Sequence, residues 1–381
     1  MILKEVKARS ILDSRSERTI EVFVNGAIAS SPSGKSTGIY ESKTFYKSLD
    51  FCIKFLNSWN EEIEIDKFGD LEKVEKLICS RLKLKKPELF GGNSLFGFES
   101  AILKALACEQ KKELWQVVNP RAKKMPVPVG NAIGGGLHSS SFKVHPIFQE
   151  FLLIPKEKSF LKNFRTMKEV YEQLGRQFNA EKINDEGAWH VAQDDEAILK
   201  EIFNYRSLVD IGVDFAASSF FEKGLYQYHK DERTPSFQVK HIIELAKLYG
   251  VFYLEDPVEQ NDFAGFKKIN REVSNSLIVG DDLTATHLDR IKKAHSMGCI
   301  NAVIVKPNQH GSLLHLKDIS EYCKKHKIVM IFSHRSGETL DDSLADYAFG
   351  FSADYIKCGI ATKWREAKLN RLIEIEKIFK Y

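Results

Sequence analysis

Cysteine is scarce and scattered in this chain of 381 residues: the six, Cys52, Cys79, Cys108, Cys299, Cys323 and Cys358, include no Cys-x-x-Cys pair. That spacing excludes a zinc knuckle and a disulfide framework, and the thiols are expected to be reduced and mostly core or helix-face residues. An excess of one charge is missing too. Basic residues number 56 and acidic ones 52, a net +4 spread along the chain, which excludes the footprint of a nucleic-acid or membrane-surface binder. Nor is there a long apolar run. The longest uncharged stretch, 125–142, carries Pro126, Pro128, Gly130, Gly134, Gly135 and Gly136, which would break a spanning helix several times; it reads as a loop-rich segment. Charge appears within four residues of Met1, so the expectation is a cytoplasmic protein with no secretory leader, no membrane partner and no nucleic-acid partner.

What the chain does have is apolar content, 43%, enough for a large core and for two domains or a small domain on a large barrel. Short β-type runs at Val6 to Leu12 and Thr19 to Val24, punctuated by Asn25-Gly26, predict a small antiparallel sheet. Helical spacing follows: Phe51, Phe55 and Trp59; Leu71, Val74 and Leu77; Leu95, Phe98, Ile102, Ala105 and Leu106. Asn119-Pro120 ends this part, which predicts an N-terminal α+β domain over 1–120. Beyond it, apolar runs (Leu208 to Val213, Val251 to Leu254, Leu277 to Val279, Ala302 to Val305, Ile328 to Phe332) alternate with helical stretches (Val239 to Tyr249, Leu288 to Met297, Leu313 to His326). Alternation of this kind builds a parallel sheet covered on both faces. Residues 125–381 match the usual size of an eight-stranded α/β barrel, so the fold class is α/β.

Each apolar run closes on an ionisable group: Asp214, Glu255, Asp281, Lys306 and His334. One strand–helix unit separates each from the next, which places all five on the carboxyl-end rim, where barrel active sites form. Three converging carboxylates repel one another unless a cation sits among them. Oxygen-only ligation favours a hard ion such as magnesium.

These residues stand in motifs that resemble the enolase family. The barrel half carries Asp214-Phe-Ala-Ala-Ser, Leu254-Glu-Asp-Pro, Gly280-Asp-Asp-Leu-Thr, Val305-Lys-Pro-Asn-Gln and Ser333-His-Arg-Ser-Gly-Glu-Thr. Upstream lie Ile11-Leu-Asp-Ser-Arg, Pro32-Ser-Gly-Lys-Ser-Thr-Gly, Asn131-Ala-Ile-Gly-Gly-Gly-Leu-His, Phe148-Gln-Glu-Phe and Asp185-Glu-Gly, so the resemblance spans nearly the whole chain. It implies a lid-bearing N-terminal domain, a barrel with irregular first units, and reversible dehydration of 2-phosphoglycerate to phosphoenolpyruvate. It further implies two Mg2+ ions, the first held by Asp214, Glu255 and Asp281, the second arriving with substrate and touching Ser36. Lys306 matches the family's general base and Lys357 the lysine that binds the substrate carboxylate. Glu186 matches the residue that helps the hydroxyl leave, with Glu150 beside it. Arg335 and Ser336 match phosphate contacts, His138 a lid histidine, and His334 the same wall. Family members are usually dimers or octamers, which makes a homo-oligomer the expectation.

A lysine base at pH 7 must be neutral, and moving its pKa from about 10.4 to about 7–8 represents roughly 4 kcal/mol; magnesium and Lys357 are the expected sources. Two acids beside one leaving group are expected to split their pKa values, one staying protonated. Ser33-Gly-Lys-Ser-Thr is no phosphate-binding P-loop, because Ala29 stands where its first glycine belongs, and Gly134-Gly-Gly is too short for a dinucleotide fingerprint. Three departures stand out from the family pattern: Lys35 for alanine, Ser219 for glutamate, and Pro307 for an aliphatic residue. They keep two alternatives open, a catalytically weak paralogue serving as a binding scaffold and an enzyme of the wider superfamily acting on another carboxylate.

Overall fold

The computed structural model describes residues 1–35, 38 and 40–380, the last of these by its backbone alone. Three antiparallel strands open the chain: β1 (Val6–Leu12), β2 (Arg18–Val24) and β3 (Ala27–Ser30). Asn25 and Gly26 both have positive φ, 47° and 87°, as a two-residue hairpin between right-twisted strands requires. Helices Leu49–Asn57, Leu71–Leu82 and Gly92–Gln110 form at the three places where the apolar spacing turns helical, and the first and third pack on this sheet. Leu71, Val74 and Ile78 are fully buried along one face of the second helix.

Eight strands then close a barrel: β4 (Val127–Gly134), β5 (Glu150–Pro155), β6 (Val209–Asp214), β7 (Val251–Glu255), β8 (Leu277–Gly280), β9 (Ala302–Val305), β10 (Val329–Ser333) and β11 (Tyr355–Gly359). They pair in chain order, and β11 returns to β4 with Tyr355 opposite Val127. The first units are irregular, since β5 runs antiparallel to both β4 and β6 while the other neighbours are parallel. Val129, Leu152, Ile154, Tyr253, Val279, Ala302, Ile304 and Ile331 form one buried cluster inside the ring, a filled barrel core.

The reading of 125–142 as loop is corrected: eight of its residues form β4, whose glycines serve close packing. A Cβ on Gly130 would meet Met167 Sδ at 2.3 Å, and one on Gly134 would meet Asn184 Nδ2 at 2.0 Å. All six cysteines are free thiols; Cys52, Cys299, Cys323 and Cys358 are buried, Cys79 half-buried and Cys108 exposed. Among the described residues no helix is long and apolar enough to cross a membrane.

Candidate active site

Strand direction decides which residues reach the rim. Asp214 and Glu255 end β6 and β7, and Asp281 and Lys306 follow β8 and β9 directly. Glu150 begins its strand, yet β5 is antiparallel, so it lies in register opposite Asp214. Lys357 lies within β11 beside Ser333 at the end of β10. These ends surround a cavity of 220 Å³ whose wall includes Glu150, Glu186, Asp214, Asp281, Lys306 and Lys357. His138, His334, Arg335 and Ser336 complete the set of sequence-predicted residues on that wall. Glu255 is fully buried beneath it, and Ser36 lies outside the described residues.

Two lysines hold the predicted ligand set together. Lys357 Nζ lies 2.7 Å from Asp214 Oδ2, 2.8 Å from Glu255 Oε2 and 3.0 Å from Glu150 Oε2. Lys306 pairs with Asp281. Burial raises the Glu255 carboxyl to about 8, with Asp214 adding to the rise and Lys357 opposing it. Burial also works against the charged form of Lys306, but the Asp281 carboxylate outweighs it, and the amine is held above the usual lysine range. The shift runs opposite to the one expected of a base because of this ion pair, and the same pair lowers Asp281 against the effect of burial.

The carboxylates fit a hard divalent cation. Glu255 Oε1 and Asp281 Oδ1 are buried oxygens with no hydrogen-bond partner among the described residues, the kind of donor magnesium takes. A further acidic triplet, Asp256, Asp281 and Asp282, has ligand oxygens within 4.8 Å of one another. Asp256 is already engaged there, accepting from Asp281 N at 3.1 Å and Asp282 N at 2.6 Å. It thus fixes the turn that presents Asp281. Asp256 (φ 40°) and Ala216 (φ 42°) both hold left-handed backbone directly beside the predicted ligands, local strain of the kind that clusters at functional sites.

The second group of acids divides as expected. Burial, and then the charge of Glu186, raises Glu150 well above the ordinary carboxyl range, Lys357 notwithstanding. Glu186 is equally buried, but His138 and His334 bring it well below that range, and the Glu150 carboxyl hydrogen-bonds to it. His138 Nε2 lies 3.5 Å from Glu186 Oε1, and its Nδ1 lies 3.2 Å from Asp185 Oδ1. Burial lowers the His138 ring, yet Glu186 and Asp185 raise it on balance. Burial holds the His334 ring well below the usual histidine range, although Glu186 pulls the other way.

On the N-terminal side, Arg335 makes a two-oxygen contact with Glu41, at 2.9 and 3.2 Å. Ser336 Oγ accepts from Lys35 N at 2.7 Å and Arg15 Nη1 at 3.2 Å. Glu41, Asp256, Asp282 and Asp185 carry no role in the sequence reading. Three of them stand inside quoted motifs, which was the available signal, whereas Glu41 reaches the site by tertiary packing alone. Pro307 occupies the first position of helix Pro307–His310, where no backbone N–H is needed, and Ser219 lines the cavity.

A closed barrel with buried carboxylates and lysines gathered at its strand ends defines an enzyme of the α/β-barrel class whose carboxylates could hold a metal ion. The family described as "Enolase, C-terminal TIM barrel domain" matches residues 122–380. The chain is 34% identical to the enolase of Thermoplasma acidophilum, with 98% of each chain covered. It is 33% identical to that of Picrophilus torridus, again with 98% of each covered, and 32% identical to that of Natronomonas pharaonis, covering 98% of this chain and 99% of that one. The chain belongs to the enolase family, whose members are lyases.

Proposed function

We propose that this chain catalyses the reversible dehydration of 2-phosphoglycerate to phosphoenolpyruvate. One observation carries the reading: β5 and β9 stand four places apart in a ring of eight, so Glu150 and Lys306 enter one cavity from opposite sides. A base on one side and a protonated acid on the other suit removal of a proton and a hydroxyl from opposite faces of a small substrate. Asp214, Glu255 and Asp281 would hold one magnesium ion and a second would enter with substrate, which would supply the charge that an enolate beside a carboxylate needs, the first competing with Lys306 for Asp281.

The chain's own residues do the rest. Lys306, as free base, takes the proton at C2. Glu150 keeps its proton and passes a hydrogen bond to Glu186, and this pair protonates the departing 3-hydroxyl. Lys357 receives the substrate carboxylate. Arg335, Ser336 and His138 receive the phosphate, the planar guanidinium engaging two oxygens at once, and His334 closes the wall beside Glu186. Residues 1–120 act as the capping domain of the barrel 125–381. Ser33 bridges to Gly337, and Arg15 and Lys35 meet at Ser336.

Of the four matched phosphate-side groups, Ser36, His138, Arg335 and Ser336, the last three line the cavity, which favours a phosphorylated substrate over another carboxylate. The full chain with Mg2+ and 2-phosphoglycerate is expected to generate the ultraviolet absorbance of phosphoenolpyruvate, and a chelator is expected to abolish it. No absorbance at high enzyme concentration would overturn the reading in favour of a scaffold.

A further inference from the structure

Outside the cavity, three histidines from three separate elements meet. His287 caps helix Leu288–Ser296, His310 ends helix Pro307–His310, and His315 lies in the first turn of helix Leu313–His326. One ring nitrogen of each lies within 4.8 Å of the others. His310 is 6% exposed, and its Nδ1 is a buried atom with no hydrogen-bond partner among the described residues. Leaving such a nitrogen unpaired is costly, and an apolar side chain would have filled the space without that cost. The rings of His310 and His315 stack at 3.7 Å and 9°, with His287 edge-on to both.

We propose that His287, His310 and His315 form a binding site for one borderline divalent transition-metal ion of the zinc class, separate from the carboxylate site. The donor set is all imidazole nitrogen, which suits zinc, cobalt or nickel and leaves magnesium poorly served. Burial keeps the rings of His310 and His315 low, at about 2 and about 4 respectively, so neither has to lose a proton on binding; His315 Nε2 accepts from Leu288 N at 3.4 Å, a long contact that an ion bound through that nitrogen would replace. Zinc–nitrogen bonds of about 2.0–2.1 Å at tetrahedral angles set the nitrogens roughly 3.4 Å apart. Coordination therefore requires the stacked pair to turn out of parallel, a side-chain rotation. His287 and His315 are half-buried, which leaves a fourth position for water. Asp289 adds negative charge near His315, and Lys86 opposes it.

The site is wired to the base. Thr286, next to His287, accepts from Lys306 N at 3.0 Å and donates to Gln309 Oε1 at 2.5 Å, and Gln309 adjoins His310. An ion there would pin the segment that carries Lys306 from outside the cavity.

The test uses the full-length protein, stripped of metal, kept in excess Mg2+ to occupy carboxylate sites, then given one equivalent of Zn2+ or Co2+ and desalted. One zinc per chain is expected to remain bound. His287→Ala and His315→Ala are each expected to lose affinity about tenfold or more, whereas Glu255→Gln retains the ion. Cobalt in the unmodified protein is expected to give the intense visible bands of a four-coordinate nitrogen site, a readout that needs no variant. Zinc removed by Mg2+, zinc retained equally by His315→Ala, or the weak spectrum of six-coordinate cobalt would each overturn the proposal. None of these outcomes bears on the dehydration reaction.

Discussion

Lys357 Nζ sits 2.7 Å from Asp214 Oδ2, so an amine already occupies the charge position between acids assigned to a cation. Its other contacts, Glu255 and Glu150, are equally buried. Lys357→Ala takes the ammonium away from three buried acids, Asp214, Glu255 and Glu150, and removing one partner of a buried pair costs about 3–5 kcal/mol. Thermal melting should show a large loss in chelator and a Mg2+-dependent recovery wider than that of the unmodified protein, with turnover abolished. An unchanged response to Mg2+ would place the ion elsewhere.

Lys35 bridges two segments of the cavity mouth, donating to Leu137 O at 2.9 Å and Asp185 Oδ2 at 3.2 Å. Asp185 in turn meets His138. This pair is partly exposed, which limits its worth to roughly 0.2–1 kcal/mol. Lys35→Ala should therefore raise KM for 2-phosphoglycerate by about two- to fivefold with little change in kcat. A drop in kcat alone would assign Lys35 to the chemistry.

Glu99 is fully buried, accepts from Leu313 N at 2.7 Å, and is raised well above the ordinary carboxyl range by burial and by Glu75. The folded state thus binds a proton that the unfolded chain gives up above its ordinary value of 4.5. Stability from this group is complete below that pH and is lost as pH rises toward the folded value. Urea unfolding should show stability falling across this window in the unmodified protein and a flatter profile in Glu99→Gln, which is the more stable of the two at the alkaline end. Parallel profiles would show that Glu99 is ionised in the fold.

Strands that follow the repeating strand–helix unit were legible because both faces are buried and apolar runs mark them; β6 to β10 lie at the predicted runs within a residue or two. Val127–Gly134 was not legible. Its Pro128 and glycines carry turn signals, while their actual cause is the nearness of Met167, Ile360 and Asn184, residues distant in sequence. Asp214, Glu255, Asp281 and Lys306 could be found at strand ends, but Glu150 needed the antiparallel β5, Glu186 the family motif, and Glu41 the tertiary fold. The upward shift of Lys306 comes from its Asp281 contact, which no spacing reveals.

The glycine reading is itself testable. Gly130→Ala puts a Cβ 2.3 Å from Met167 Sδ and 2.6 Å from Ile360 Cγ1, an overpacking that costs typically 1–3 kcal/mol. Chemical denaturation should show a loss of that size. A neutral substitution would mean that both side chains yield freely.

The most direct test of the account follows the C2 proton. In deuterated water with saturating Mg2+, the unmodified protein should exchange the C2 hydrogen of 2-phosphoglycerate, seen by proton NMR, and folded Lys306→Ala should not. Exchange at an undiminished rate in Lys306→Ala would contradict the assignment of Lys306 as the base.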